Sequence, residues 1–306
     1  MCNGTRRLVV ELAGLPIGIE VVAETRSALT YCESYFEGFT VEKGDPVACV
    51  TILRPSAAPP ATTPQHLLEH RLTPQGLRQC VGPAIEVEAS TICAGCMDGC
   101  LAYHPATRSA RLFLGGAEDV MFAPLHRLMW MFFAQSLGDL GCFFVHAAAV
   151  ADSDCGYLFF GDSGEGKTTL ARNVQEGSVL ADDGPLISHT PGGGYWLYPS
   201  PYHQTPVHVR PWGRVPGGAS PATAFYLLDQ SGASHNRPVP ASRAVPAILQ
   251  RFIHFWGYLS PGGRRAAFDL FTQACHTLPV HYLTVPEGAD ALALVSSPDA
   301  GGNLHG

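Results

Sequence analysis

A chain of 306 residues with 46% apolar and 15% charged residues has enough material to bury a core and is longer than most single cores, so two domains are expected and disorder is not the default. Its formal net charge of −7 and pI near 6.0, with lysines and arginines dispersed, leave no basic face for a nucleic acid or an anionic membrane. The most apolar run, residues 128–134, is too short to span a bilayer, and Glu11 and Glu20 interrupt the stretch after Arg6 and Arg7 that a secretory signal would keep uncharged, so the chain reads as cytoplasmic.

Residues 8–12, 17–22 and 48–53 read as short strands separated by turn residues at Gly14, Pro16, Gly44 and Pro46. Residues 55–64 have the composition of an exposed, extended connector. Residues 84–89 alternate as a half-exposed strand does, and the segments around Asp98 and Gly99 and over 108–114 predict a hairpin. Residues 1–120 are therefore expected to form a small β-rich N-terminal domain without a catalytic grouping, and residues 121–306 a second domain. Of the ten cysteines, Cys93, Cys96 and Cys100 admit two readings. With His104 they supply four donors of the kind structural zinc takes. Without a second C-x-x-C pair, they read as reduced small side chains distributed along a hairpin.

From Pro124 the character changes. Proline is tolerated at a helix start, and residues 125–137 follow it as a mostly apolar helix ended by Gly138. Residues 143–150 read as one buried strand carrying His146, and residues 156–160 as a second strand. The next stretch, Gly161, Asp162, Ser163, Gly164, Glu165, Gly166, Lys167, Thr168, Thr169, fits G-x-x-x-x-G-K-[ST]. Its glycines let backbone N–H groups turn inward around an anion, Lys167 reaches the outer phosphates, and the Thr168 hydroxyl suits Mg²⁺. The strand before and the helix expected after it match the context this motif requires, so ATP with Mg²⁺ is the expected ligand pair.

A strand over 179–183 ends in Asp182 and Asp183. Adjacent residues on an extended segment face opposite sides, so the two acids are expected to do different jobs. The plainer reading makes both turn or capping residues. His146 reads on its own as a core histidine. The aromatic and proline-rich stretch from 192 to 214, with Arg210 and Arg214, is expected to form loops over the strand ends, where substrate contacts concentrate. A strand over 222–229, helices over 244–259 and 264–276, a strand over 280–284 and a frayed tail from Ser296 complete the reading.

Taken together, the 146–150 segment, the loop from Tyr157 to Ala171 and the Ala181, Asp182, Asp183 triplet resemble the kinase domain of HPr kinase/phosphorylase. The similarity is closer to its shortened relatives, which include lasso-peptide kinases and free-serine kinases, and more distant to phosphoenolpyruvate carboxykinase. It covers residues 141–187. The resemblance implies an α/β fold, a P-loop domain of mixed sheet flanked by helices, with the smaller β-rich domain in front. It also implies a kinase that passes the γ-phosphoryl group of ATP to a hydroxyl of a peptide, a small carrier protein or a serine-like molecule, and by analogy a homo-oligomer. In the family of kinases that this sequence resembles, such a pair of acids supplies the base for an acceptor hydroxyl and metal-associated charge, which implies Asp183 as base and Asp182 as the metal-side acid. The same resemblance implies a second role for His146, as a partner of the acids or of the outer phosphate. The glutamate-containing signature that follows the paired aspartates in HPr kinase/phosphorylase is not recognisable, Trp196, Leu197, Tyr198, Pro199, Ser200 and Pro201 standing there, so neither HPr as acceptor nor reverse phosphorolysis is carried over. Two other readings stay open: a carboxykinase-like small-molecule phosphotransferase, and a nucleotide-gated module that presents a peptide without catalysis.

Overall fold

In a computed structural model of the protein, residues 5–22, 26–53, 84–88, 91–96, 99–115, 122–202, 218–229, 236–286 and 288–295 are described. They form an α/β protein with two mixed sheets and six helices. The chain divides into two compact units, Met1–Leu140 with Gly257–Gly263, and Gly141–Trp256 with Arg264–Gly306. The expected connector over 55–64, Arg210, Arg214 and the tail from Ser296 lie outside the described residues.

The first unit holds β1 (Arg6–Leu12), β2 (Leu15–Val21), α1 (Arg26–Tyr35), β3 (Ala48–Leu53), β4 (Ala84–Glu88), β5 (Thr91–Cys96), β6 (Gly99–His104), β7 (Ser109–Leu114) and α2 (Phe122–Gly138). Its sheet has the order β1-β2-β3-β7-β6-β5-β4. β1 and β2 are joined across Ala13 and Gly14, whose φ values of 54° and 73° are those of the tight hairpin turn that matches strand twist. In β3, Ala48, Val50 and Ile52 are buried while the residues between them are half-buried, the period of two that fixes which face meets the core. α1 was not expected from the sequence. It buries Ala28, Leu29 and Cys32 on one face, a stripe too short for periodicity to separate from a strand.

α2 runs where the helix after Pro124 was expected, but it packs on β5, β6 and β7, with Phe133 against Phe36 and Phe132 against Tyr103. The boundary between units consequently falls after Leu140, beyond this helix, whereas the change of composition pointed to 120. At its end Asp139 accepts hydrogen bonds from the Tyr103 hydroxyl (2.9 Å) and the Ser260 hydroxyl (2.7 Å). On the β5–β6 hairpin Cys93 and Cys100 are buried, and His104 Nδ1 lies 3.0 Å from Thr91 Oγ1. Among the described residues no group of three or more His, Cys, Asp or Glu side chains is placed to hold a metal ion. None of the described helices is long and apolar enough to cross a membrane.

The second unit holds β8 (Cys142–Phe144), β9 (Ala147–Asp152), β10 (Cys155–Phe160), α3 (Lys167–Arg172), β11 (Ser178–Ala181), β12 (Leu186–His189), β13 (Tyr195–Tyr198), β14 (Ser220–Leu228), β15 (Asn236–Pro238), α4 (Ala241–Trp256), α5 (Pro261–Thr277, beginning in the other unit), β16 (Val280–Leu283) and α6 (Ala291–Val295). Its sheet runs β11-β9-β10-β14-β13-β12-β8, with β16 pairing β14 and β15. β10, β14 and β16 are parallel neighbours, while β9 is antiparallel to both β10 and β11. One face of this sheet carries Val150, Phe159, Tyr226 and Leu283, covered by Leu170 of α3 and by Ala291, Leu292 and Val295 of α6.

Two expectations are corrected here. Residues 143–150 are not one strand: the chain breaks at Val145 and His146, β8 pairing with β12 and β9 with β10 and β11. Continuous burial on both sides hid the break, because a run apolar throughout has no period to interrupt. The stretch from 192 is not all loop either. Tyr195–Tyr198 is β13, with Tyr195 and Leu197 buried, paired to β12 and β14.

Candidate active site

β10 delivers the chain into the glycine-rich motif at Gly161, which is buried where a Cβ would approach Glu165 and Leu228 to 3.0–3.2 Å. The loop is stitched to itself: Glu165 N–H donates to Asp162 O (3.1 Å), and the Glu165 carboxylate accepts a short hydrogen bond from Asp162 N–H. Gly164 and Gly166 have φ of 89° and 95°, left-handed values that turn the backbone into α3. The first intrahelical bond runs from Leu170 N–H to Gly166 O (2.8 Å), so the N–H groups of Lys167, Thr168 and Thr169 precede the helical ladder. A Cβ at Gly166 meets no neighbour, so Gly166→Ala isolates the backbone cost: a destabilisation of about 1–2 kcal/mol is expected in urea unfolding.

Lys167 is buried, only 5% exposed, and its Nζ donates to Gly161 O (2.7 Å) and Asp162 O (3.1 Å). Burial lowers its pKa below the ordinary lysine value; the negative charges of Asp183, Glu165 and Asp162 oppose that shift, and Arg251 adds to it. A buried ammonium whose hydrogen-bond partners among the described residues are carbonyls is suited to a ligand that brings negative charge. Thr168 is half-buried, whereas Asp162, Ser163, Gly164 and Thr169 are exposed.

The break between β8 and β9 is what positions His146. Ala147 pairs with Phe160, setting His146 opposite the start of the loop, and Val145 N–H donates to Pro185 O (3.0 Å), holding the break against the segment after β11. That segment carries the two acids. Fully buried Ser200 donates to Gly184 O (2.5 Å) and accepts from Tyr202 N–H (3.1 Å), fixing the bend that presents Asp183. Asp183 Oδ1 lies 3.2 Å from His146 Nε2, with side chains 21% and 12% exposed. The contact is within ion-pair range but is not aligned as a hydrogen bond. Asp182 has no exposed surface.

Lys167, Asp183 and His146, from three separated motifs, are thus brought to one edge of the sheet. Sequence reasoning missed Arg251 on α4, whose Nη2 lies 3.7 Å from Glu165 Oε2 and 3.9 Å from Asp162 Oδ2, with a side chain only 16% exposed. The signal was present: Ala244, Ile248 and Phe252 form the buried stripe of α4, and Arg251 stands beside it, where a cation needs a reason.

No family model matches this chain, and no curated protein matches it.

Proposed function

We propose that the second unit is an HPr kinase-like P-loop domain and that the protein is an ATP- and Mg²⁺-dependent kinase acting on a hydroxyl group, with a serine of a peptide or small protein, or a serine-like molecule, as acceptor. The observation that carries the reading is the position of Asp183, within ion-pair range of His146 and close enough for its charge to act on Lys167. The left-handed glycines, the buried ammonium and the half-buried Thr168 hydroxyl form a donor set that fits a triphosphate with its cation. Thr168 and Asp182 would hold Mg²⁺, which when bound neutralises charge on the phosphate oxygens.

In this reading the acceptor oxygen attacks the γ-phosphorus, the bond from that phosphorus to the bridging oxygen breaks, ADP leaves with the electron pair, and the acceptor proton passes to Asp183. His146 orients the carboxylate. The loop amides and Lys167 hold the β- and γ-phosphate oxygens, and Arg251 exchanges its loop carboxylates for phosphate oxygen as charge develops. Arg251→Ala is accordingly expected to lower kcat about 10²-fold, the loss usual for one transition-state donor, in a steady-state assay with the active acceptor.

ATP consumption measured with serine, serine-containing peptides and an HPr-like protein tests the class. Turnover that depends on one of these acceptors supports the kinase. Tight ATP binding without turnover favours the peptide-presenting module, and turnover only with small carboxylic acids favours the carboxykinase-like reading.

A further inference from the structure

Where the end of α4 meets the first half of α5, an open cleft of about 350 Å³ is lined by Trp256, Arg264, Arg265, Phe268 and Asp269, all of the second unit. None of these side chains has a part in the site described above. Phe268 is 46% exposed, one of two large apolar side chains so placed among the described residues. Trp256 beside it is half-buried, its ring set edge-on against buried Phe252 with centroids 6.3 Å apart, so the indole is a fixed wall. The two aromatic side chains thus share one solvent-open cleft, a pairing that folding does not require.

Charge says what the cleft suits. Two guanidinium groups and one carboxylate line it, on a chain whose formal net charge is −7. Arg265 is exposed and forms no ion pair among the described residues. No acid stands in the first turn of α5 to offset the two arginines that follow it. A partner that brings both an apolar side chain and negative charge matches this lining, and arginine with aromatic residues is the composition enriched at protein interfaces.

We propose that this cleft docks an acidic segment of a peptide acceptor, an apolar side chain lying between Trp256 and Phe268 and carboxylates facing Arg264 and Arg265. The proposal rests on the kinase reading and adds how a peptide would be selected away from the reacting hydroxyl. Helix α4 links the two places: Arg251 faces the loop carboxylates at 3.7 and 3.9 Å, and Trp256 follows five residues later, about 7–8 Å further along the axis. An extended peptide covers about 3.3 Å per residue, so a docking segment roughly four to six residues from the serine spans such a separation. Asp269, one turn beyond Arg265, repels acid and confines the carboxylates to the arginine side of the cleft.

The test uses the full chain and two dye-labelled peptides, each a central serine flanked on both sides, across the same short spacer, by either a Glu-Phe-Glu or a Lys-Phe-Lys segment. Anisotropy titration is expected to show the acidic peptide bound at least about 10-fold more tightly than the lysine peptide. Arg265→Glu is expected to bring that preference to parity or reverse it, and Phe268→Ala to weaken the acidic peptide about 5-fold or more; both side chains are exposed, so the fold is retained. Equal binding of the two peptides by the parent, binding of neither, or an affinity for the acidic peptide unchanged in either variant overturns the docking site. Turnover with MgATP separates this from the kinase reading: the acidic peptide is expected to show the lower KM with the parent but not with Arg265→Glu. Acid-selective binding without phosphorylation of either peptide overturns the acceptor role and the kinase reading with it, leaving a peptide-binding surface.

Discussion

Asp183→Asn is expected to slow phosphoryl transfer by about 10³-fold while leaving the affinity for MgATP nearly unchanged, because general base catalysis by a positioned side chain is worth roughly 10²–10⁴ in rate. The substitution keeps the size and shape of the side chain, so the bend fixed by Ser200 and Gly184 and the approach to His146 at 3.2 Å are retained in outline. What disappears is the capacity to take a proton and the negative charge that faces Lys167. The split between kcat and ligand affinity is the informative part. A residue that holds the metal alters both together, whereas a base that acts on the acceptor alters the chemical step alone. Single-turnover measurements with the acceptor, beside equilibrium titration of MgATP, separate the two. Unchanged turnover removes Asp183 from the role of base; a parallel loss of affinity moves it to the metal side and exchanges its role with Asp182.

Lys167→Met has the other large effect, and it acts on two properties in opposite directions. Without the ammonium the motif has no lysine, and triphosphate binding is expected to weaken by at least about 10²-fold, the scale of a charge-assisted hydrogen bond in a site that excludes water. The same change is expected to leave Tm at neutral pH equal or higher. Burial lowers the Lys167 pKa from its ordinary value of 10.5, so between the lowered value and 10.5 the unfolded chain binds more protons than the folded one. Stability therefore rises with pH across that window, and below it the parent carries the full cost of a buried charge. Methionine has no such cost and fills similar space, although the bonds to Gly161 O and Asp162 O disappear. Thermal unfolding of both proteins at neutral and at alkaline pH checks the sign: the difference in favour of the variant should shrink as pH rises. A binding site held under strain behaves this way, whereas a structural lysine leaves a less stable protein when it is removed.

Much of the site was legible because its parts are encoded locally. A glycine-lysine-threonine loop after a strand announces itself within nine residues, and the acids after β11 lie at a strand end, where sheet geometry makes neighbours of distant segments. His146 was legible as a residue of interest but not in its setting. The interruption that frees its ring from a strand is set by pairing partners, β12 on one side and β10 on the other, which no local pattern records. Ser200 was hidden for a similar reason. Its part is a hydrogen bond to Gly184, sixteen positions earlier, and a buried serine looks in sequence like any loop serine. Arg251 was passed over because the helix bearing it was read for its apolar spacing, while Arg210 and Arg214 drew notice from their aromatic surroundings. In the fold, strands with alternating burial such as β3 followed the pattern. α1 and the assignment of α2 to the first unit depended on packing partners far away in the chain.

The most direct test of the central claim is a crystal structure of the protein with Mg²⁺ and a non-hydrolysable ATP analogue. The account predicts the phosphate tail wrapped by the backbone of residues 161–169, Lys167 turned onto the β- and γ-oxygens, and Asp183 facing an acceptor position from which an oxygen reaches the γ-phosphorus at about 3–3.5 Å. A nucleotide bound elsewhere, or one held by the loop with its terminal phosphate directed away from Asp183 and His146, would contradict it.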